Sequence, residues 1–82
     1  MATKHDVTDW VSTSLSRLGG SASLIEVARD IWKHHELDLR SSGDLFYTWQ
    51  YDMRWSANLL RRNGTMKAAE VSPHGVWQLA GT

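Results

Sequence analysis

The sequence predicts an α+β domain with three helices and a small C-terminal β-hairpin. Two observations predict the helices: apolar residues recur every three or four positions, and Ser, Thr and Gly residues stand where helices begin and end. The third observation is a change of period after Gly64, where helical spacing gives way to alternation around a turn at residues 72–75. A chain of 82 residues has the length of one domain, so residues 1–82 are expected to fold as a single unit.

The first helix is expected at about residues 4–18. Thr3 and Asp6 have the spacing of a capping box, in which each side chain accepts a hydrogen bond from the other residue's backbone N–H. Val7, Val11 and Leu15 then follow at helical spacing. The pair Gly19-Gly20 ends the helix, and residues 21–23 form a short extended segment.

The second helix is expected to begin after Ser23. Ser23 and Glu26 form another S-x-x-E capping box, followed by an apolar stripe that includes Val27 and Ile31. The helix is predicted to end near His34 or His35. Residues 36–43 are predicted to be a loop, in which the alternating Leu37 and Leu39 place one or two apolar side chains in the core.

The third and longest helix is expected within residues 42–63. It is predicted to bury a face with Trp49, Trp55 and Leu59, and to expose a face with Gln, Arg, Tyr and Asn residues. Trp55 and Trp77 are both expected in the core. A helix that buries one face and presents such polar side chains on the other suits the major groove of DNA.

The C-terminal residues predict two short strands. Residues 65–70 alternate weakly and residues 76–79 alternate clearly, and the turn 72–75 between them completes a hairpin. Helix, short strand, helix, helix, hairpin is the element order of a winged helix-turn-helix. The fold class predicted is therefore α+β, with the hairpin as the wing.

The charge distribution limits how strongly such a domain can bind DNA. The formal net charge is zero, which counts against strong non-specific binding because that binding depends on phosphate neutralisation. Cations are in modest excess from residue 48 onwards, where Arg54, Arg61, Arg62 and Lys67 stand against Asp52 and Glu70. The sequence has no Cys and no apolar run long enough for a signal peptide or a membrane span. We therefore expect a soluble cytoplasmic protein.

Two segments carry a resemblance to a known family. Residues 54–64 read RWSANLLRRNG, and residues 74–79 read HGVWQL. Together they resemble the amino-terminal winged-helix domain of Mrr-type restriction endonucleases, although His74 stands where that family often has a basic residue and Asn63 where it has alanine. The resemblance implies the DNA-binding half of such an enzyme. It implies no cleavage, because the carboxylates and lysine of the nuclease site cannot be assembled from this sequence.

The candidate DNA contacts lie on the third helix and the wing: Thr48, Gln50, Tyr51, Arg54, Asn58, Arg61, Lys67 and His74. Gln50, Arg54 and Asn58 share one face, where Gln and Asn can pair with adenine and Arg with guanine. Arg61, Lys67 and His74 are assigned to phosphates, and the Thr48 hydroxyl is a further phosphate donor. The alternative is a solvated helix face, with Arg61 and Arg62 complementing the negative end of the helix dipole.

Other functions have less support in the sequence. His34 and His35 are adjacent, so they point about 100° apart on a helix and chelate a metal poorly. No catalytic motif is present, and we expect neither an enzyme nor a cofactor. The rival to DNA binding, in a regulatory or restriction-associated role, is a winged helix used for dimerisation or protein docking, with Trp10, Trp32 and Tyr51 exposed. Recognition of a modified base is a third possibility.

Overall fold

The computed structural model describes residues 2–80 and confirms an α+β fold with three helices and a two-stranded antiparallel sheet. The elements in chain order are α1 (Lys4–Arg17), β1 (Ser21–Ser23), α2 (Leu24–Arg40), α3 (Leu45–Arg62), a 3-10 turn (Ala69–Val71) and β2 (Val76–Gln78). None of the helices in residues 2–80 has the length and apolar character that crossing a bilayer requires.

The helix starts follow the predicted capping boxes. The Thr3 N–H donates to Asp6 Oδ2 over 2.8 Å at the start of α1. At the start of α2 the Ser23 N–H donates to Glu26 Oε1 over 2.9 Å, and the Glu26 N–H donates to Ser23 Oγ over 3.2 Å. These bonds occupy backbone N–H groups that a helix leaves without partners in its first turn, so the local sequence alone sets where α1 and α2 begin.

The prediction that α2 ends near His34 or His35 is wrong. His35 has non-helical angles (φ −129°, ψ 17°), but the helix resumes after this kink and continues to Arg40. Two features stabilise the helix beyond the kink. The Leu39 side chain is fully buried, and Arg40 Nε donates to Glu36 Oε2 over 2.8 Å. Leu39 therefore fills the core as predicted, whereas Leu37 is 82% exposed and does not.

The core lies where α1 and α2 meet the inner face of α3. α1 contributes Val7, Val11 and Leu15, and α2 contributes Val27 and Ile31, all with no exposed surface. α3 contributes the row Trp49, Met53, Ala57 and Leu60. This row recurs every three or four residues, which fixes the inner face of α3 and leaves its opposite face to solvent.

Trp55 lies beside this core, contrary to the prediction. It is half-buried, with Lys4 Nζ 4.5 Å from its ring centroid and the His5 ring edge-on at 5.9 Å. The fully buried Ser56 occupies the neighbouring core position, and one residue along a helix is a turn of about 100°. Leu59, also predicted on the apolar face, is half-buried too.

The predicted wing hairpin is reduced to a single bridge. β2 pairs antiparallel with β1, with Ala22 opposite the buried Trp77. On the other side of β2, Met66 bridges Leu79, and the Lys67 N–H donates to the Gln78 carbonyl over 2.9 Å. Residues 68–70 then leave the sheet, and Ala69–Val71 form the 3-10 turn. Ala and Glu have low strand propensity, and these side chains are exposed.

Candidate nucleic-acid interface

The outer face of α3 carries a row of exposed side chains, which we call the α3 row: Tyr47, Gln50, Tyr51, Arg54 and Asn58. The spacing of three or four residues places them along one side of the helix. Tyr47 is 83% exposed and Tyr51 is 73% exposed. The row lies opposite the buried residues Trp49, Met53 and Leu60, so the core holds the helix while its outer face meets solvent.

The polar members of the α3 row retain their hydrogen-bonding capacity. Within residues 2–80, the side chains of Gln50, Tyr51, Arg54 and Asn58 take part in no hydrogen bond or ion pair. A guanidinium offers five N–H donors, and each amide offers both donors and an acceptor. The row therefore presents a mixed pattern of donors and acceptors to any ligand that approaches α3.

Thr48 is exposed but its hydroxyl is occupied. Thr48 Oγ1 donates to Asp52 Oδ2 over 2.9 Å, one helical turn further on. In the free protein, Thr48 is therefore a helix-stabilising residue, and a contact from its hydroxyl to a phosphate requires the bond to Asp52 to break.

The end of α3 brings another group of the candidate residues together. Arg61 is half-buried and its Nε donates to the backbone carbonyl of Lys67 over 3.3 Å. Asn58, Arg61 and Arg62 line a cleft of about 490 Å³ together with Ala68, Ala69 and Glu70. The structure thus brings Asn58, Arg61 and Lys67 together at one end of the α3 row.

His74 stands apart from this group. It is exposed in the turn before β2, and its side chain forms no hydrogen bond or ion pair with residues 2–80. It also does not line the cleft at the end of α3. Its assignment to a phosphate rests on its place in the turn alone.

The formal net charge is zero, but the charged side chains are distributed unevenly over the surface. The closest ion pairs lie away from the α3 row, between Arg17 and Asp30 at 2.6 Å and between Arg40 and Glu36 at 2.8 Å. The cations at the α3 row and beyond its end have no such partner among residues 2–80: Arg54, Arg61, Arg62 and Lys67. The α3 side therefore has a modest local positive excess, offset in part by Asp52 and Glu70.

A second surface escaped the sequence analysis. A cleft of about 580 Å³ opens between α2 and α3 and has mostly apolar walls: Ile25, Ala28, Trp32, Phe46, Trp49 and Gln50. The Trp32 and Trp49 rings in this cleft stack, with 6.0 Å between their centroids and 13° between their planes. The available signal was Ile25, which lies about one turn before Ala28 and two turns before Trp32 of the apolar stripe and extends the apolar side of α2.

Of the aromatic residues expected to be exposed, Tyr51 is exposed, whereas Trp10 and Trp32 are half-buried. Trp10 is half-buried and stacks on the His35 ring, with 3.9 Å between centroids and 8° between planes. Burial lowers the pKa of His35, and Arg17 and His34 add to this effect although Asp38 opposes it. No group of three or more His, Asp or Glu side chains within residues 2–80 is placed to hold a metal ion.

No protein-family model, no curated protein and no solved structure matches this chain. The resemblance to the amino-terminal domain of Mrr-type restriction endonucleases therefore stays a prediction from residues 54–64 and 74–79.

Proposed function

We propose that this chain is a winged helix-turn-helix domain that binds double-stranded DNA through α3. The observation that carries the proposal is the α3 row, a line of exposed side chains with unused hydrogen-bonding groups on a helix whose opposite face is anchored in the core. The order helix, strand, helix, helix, strand supports it, with α2 and α3 as the helix pair and β2 as the strand that closes the fold.

The spacing of the α3 row fits direct reading of bases. Gln50, Arg54 and Asn58 follow one another at one-turn intervals and together span about 12 Å of helix. This length covers about four base pairs of a duplex in which successive pairs are about 3.4 Å apart. Arg54 pairs with the O6 and N7 atoms of guanine, and Gln50 and Asn58 pair with the N6 and N7 atoms of adenine.

The cations at the end of α3 supply the contacts to phosphate. Arg61 and Lys67 are already joined through the Lys67 carbonyl, and Arg62 is exposed beside them. Three or four phosphate contacts give a slope of log affinity against log salt of about −2.7 to −3.6. Affinity for duplex DNA then falls about 40- to 150-fold between 50 and 200 mM salt. This modest dependence agrees with a chain of zero net charge.

The test is a fluorescence anisotropy titration of labelled duplex DNA of random sequence, at low and at physiological salt. The double variant Q50A/R54A changes exposed side chains only, so it is expected to fold as the unchanged chain does. It is expected to bind a target sequence selected from a random pool more weakly, because it lacks two of the proposed base contacts. The matched control is R40A, which removes one exposed cation from α2 outside the proposed interface. Absence of binding at low salt, or equal binding by Q50A/R54A and R40A, would contradict the proposal.

The target determines whether the role is in transcription regulation or in restriction. A selection of bound sequences from a random pool, carried out in parallel on plain and on methylated DNA, distinguishes a sequence reader from a reader of a modified base. Tyr47 and Tyr51 are the exposed aromatic side chains of the α3 row that can contact a thymine methyl group or an added methyl group.

A further inference from the structure

The cleft between α2 and α3 is an apolar groove with no cover among residues 2–80. Its α2 wall is formed by Ile25, Ala28 and Trp32, and its α3 wall by Phe46 and Trp49. The Trp32 ring centroid lies 6.0 Å from that of Trp49 and 6.4 Å from that of Phe46. The two walls therefore meet in a cluster of aromatic rings, which forms the floor of the groove. Ile25 is 59% exposed at its edge. The groove is therefore a concave apolar surface that a partner side chain can enter.

The α2 side of the groove carries unpaired positive charge. Arg29 and Lys33 line it one helical turn apart, both exposed and both without a hydrogen bond or ion pair in residues 2–80. Of the acids beside them on α2, Asp30 pairs with Arg17. Glu26 accepts from the Ser23 N–H, and its charge interacts with Arg29 without forming an ion pair. No acidic residue lines the groove. The groove therefore combines an apolar floor with a cationic edge.

We propose that this groove binds an acidic amphipathic helix of a partner protein. The α2 wall extends from Ile25 to Trp32, which is about 10 Å along the helix. A partner helix covers the same length with apolar side chains at positions i, i+3 or i+4, and i+7, the usual pattern of a helix bound in a groove. Carboxylates on the flank of that helix then meet Arg29 and Lys33.

The same features disfavour two other occupants. A second copy of this chain packed about a two-fold axis places like charges together, because such an interface sets the same surface patch against itself. A small molecule needs a cavity that encloses most of its surface, whereas this groove is open to solvent along its length. A helix suits an open groove since its exposed face stays in water.

This inference does not depend on DNA binding, although the two surfaces adjoin. Gln50 lines the groove and also belongs to the α3 row. A helix in the groove therefore lies beside the first of the base-reading side chains. Binding of the partner helix is nevertheless measured without DNA, so the two proposals succeed or fail separately.

The probes are two synthetic peptides of about 18 residues, capped at both ends and long enough to form a helix. Both carry Leu and Phe at helical spacing on one face. One carries Glu on its flanks and the other carries Lys, and circular dichroism establishes that their helicity is equal. Calorimetric titration of the full chain is expected to show binding of the acidic peptide at least about 10-fold tighter than binding of the basic one.

Charge-reversal variants test whether the groove is the site. R29E/K33E reverses the charge at the groove, and it is expected to exchange the preference so that the basic peptide binds more tightly. R54E/R62E changes the total charge by the same amount as R29E/K33E, but on the α3 side and away from the groove. It is expected to keep the preference for the acidic peptide. I25D places a charge at an exposed apolar position and is expected to weaken binding of the acidic peptide about 10-fold.

Several results would overturn the proposal. They are no binding of either peptide, equal binding of both, or a preference for the acidic peptide that survives R29E/K33E. Sedimentation of the free chain provides another: a dimer that dissociates in I25D identifies a second copy of the chain as the occupant, and the partner helix is then ruled out.

Discussion

The Arg61 guanidinium donates to the backbone carbonyl of Lys67 across 3.3 Å, and this bond joins the last turn of α3 to the segment that bridges β2. The acceptor is a backbone atom, so the Lys67 side chain remains available to a ligand. One hydrogen bond therefore sets how the cations beyond the α3 row are spaced.

We expect R61A to weaken binding to random duplex DNA and to reduce the magnitude of the salt slope by about 1, since one phosphate contact is lost. Loss of the bond to the Lys67 carbonyl is expected to lower the free energy of unfolding by about 1 kcal/mol. Anisotropy titrations over a salt series measure the slope, and urea denaturation measures the stability. R61K is the matched control, because it keeps the charge; an unchanged slope in R61A would remove Arg61 from the interface.

Arg54 is expected to act differently, because it is assigned to a base. With a selected target sequence, R54A should lose about 1–3 kcal/mol of discrimination at one guanine position. Its binding to random DNA should change much less than that of R61A. The measurement is competition between the target and single-base variants. A uniform loss of affinity for every sequence would reassign Arg54 to phosphate.

The buried hydroxyls of Thr8 and Ser56 link α1 to α3, with their oxygen atoms 2.8 Å apart. Thr8 Oγ1 also donates to the Lys4 carbonyl over 3.2 Å, so it keeps a partner when Ser56 is replaced. Ser56 is fully buried, and Thr8 is the partner of its hydroxyl within residues 2–80. T8V leaves the buried Ser56 hydroxyl without a partner, so we expect it to lower the free energy of unfolding by about 1–3 kcal/mol. S56A leaves Thr8 bonded to the Lys4 carbonyl, so we expect it to lower the free energy of unfolding by less.

A double-mutant cycle checks this asymmetry. T8V/S56A removes both hydroxyls and should be more stable than the sum of the single effects predicts, because no buried polar group remains without a partner. If the losses of unfolding free energy in T8V and S56A simply add in the double variant, the hydrogen bond between the two hydroxyls contributes no coupling energy.

His35 is expected to make stability depend on pH. Its stacking on Trp10 buries the ring, and burial lowers the pKa of His35 below the ordinary value of 6.5. The unfolded chain therefore binds the proton more readily, so stability is full above 6.5 and falls as pH drops from 6.5 towards the folded-state pKa. Urea denaturation between pH 7.5 and 5 measures this change.

H35F is the informative variant, since an aromatic ring remains against Trp10 while the titrating group is removed. The decline in stability attributable to His35 should disappear in it. Asp30 titrates in a lower window: partial burial raises its pKa, but hydrogen bonds from Arg17 and Ser14 outweigh burial and lower it below 3.8. If H35F loses as much stability between pH 7.5 and 5 as the unchanged chain does, His35 is not the cause of the decline.

The sequence predicted those parts of the fold that local chemistry decides. Both capping boxes, the glycine end of α1 and the buried face through Trp49 depend on residues within a turn of one another. The extra turn of α2 depends on burial of Leu39 by distant parts of the chain, which the local pattern does not contain. Trp55 was misplaced for the same reason, because two adjacent stripes of α3 are both apolar and only packing against α1 selects one.

The candidate site was predictable to a similar extent. Helical spacing alone placed Gln50, Arg54 and Asn58 on one face, and their exposure follows from the buried row opposite. The bond between Arg61 and Lys67 requires the path of the chain after Gly64, and the groove requires the relative position of α2 and α3. Neither follows from periodicity, which describes one helix at a time.

The pairing of β1 with β2 has a consequence for how the chain acquires its structure during synthesis. β1 leaves the ribosome before α2 and α3, but its hydrogen-bonding partner, Val76–Gln78, is made only after all three helices. Until then the edge of β1 is unpaired and the Trp77 side chain that covers Ala22 is missing. Closing this long loop is entropically slow compared with forming the helices, so the helices assemble first and the sheet completes the molecule.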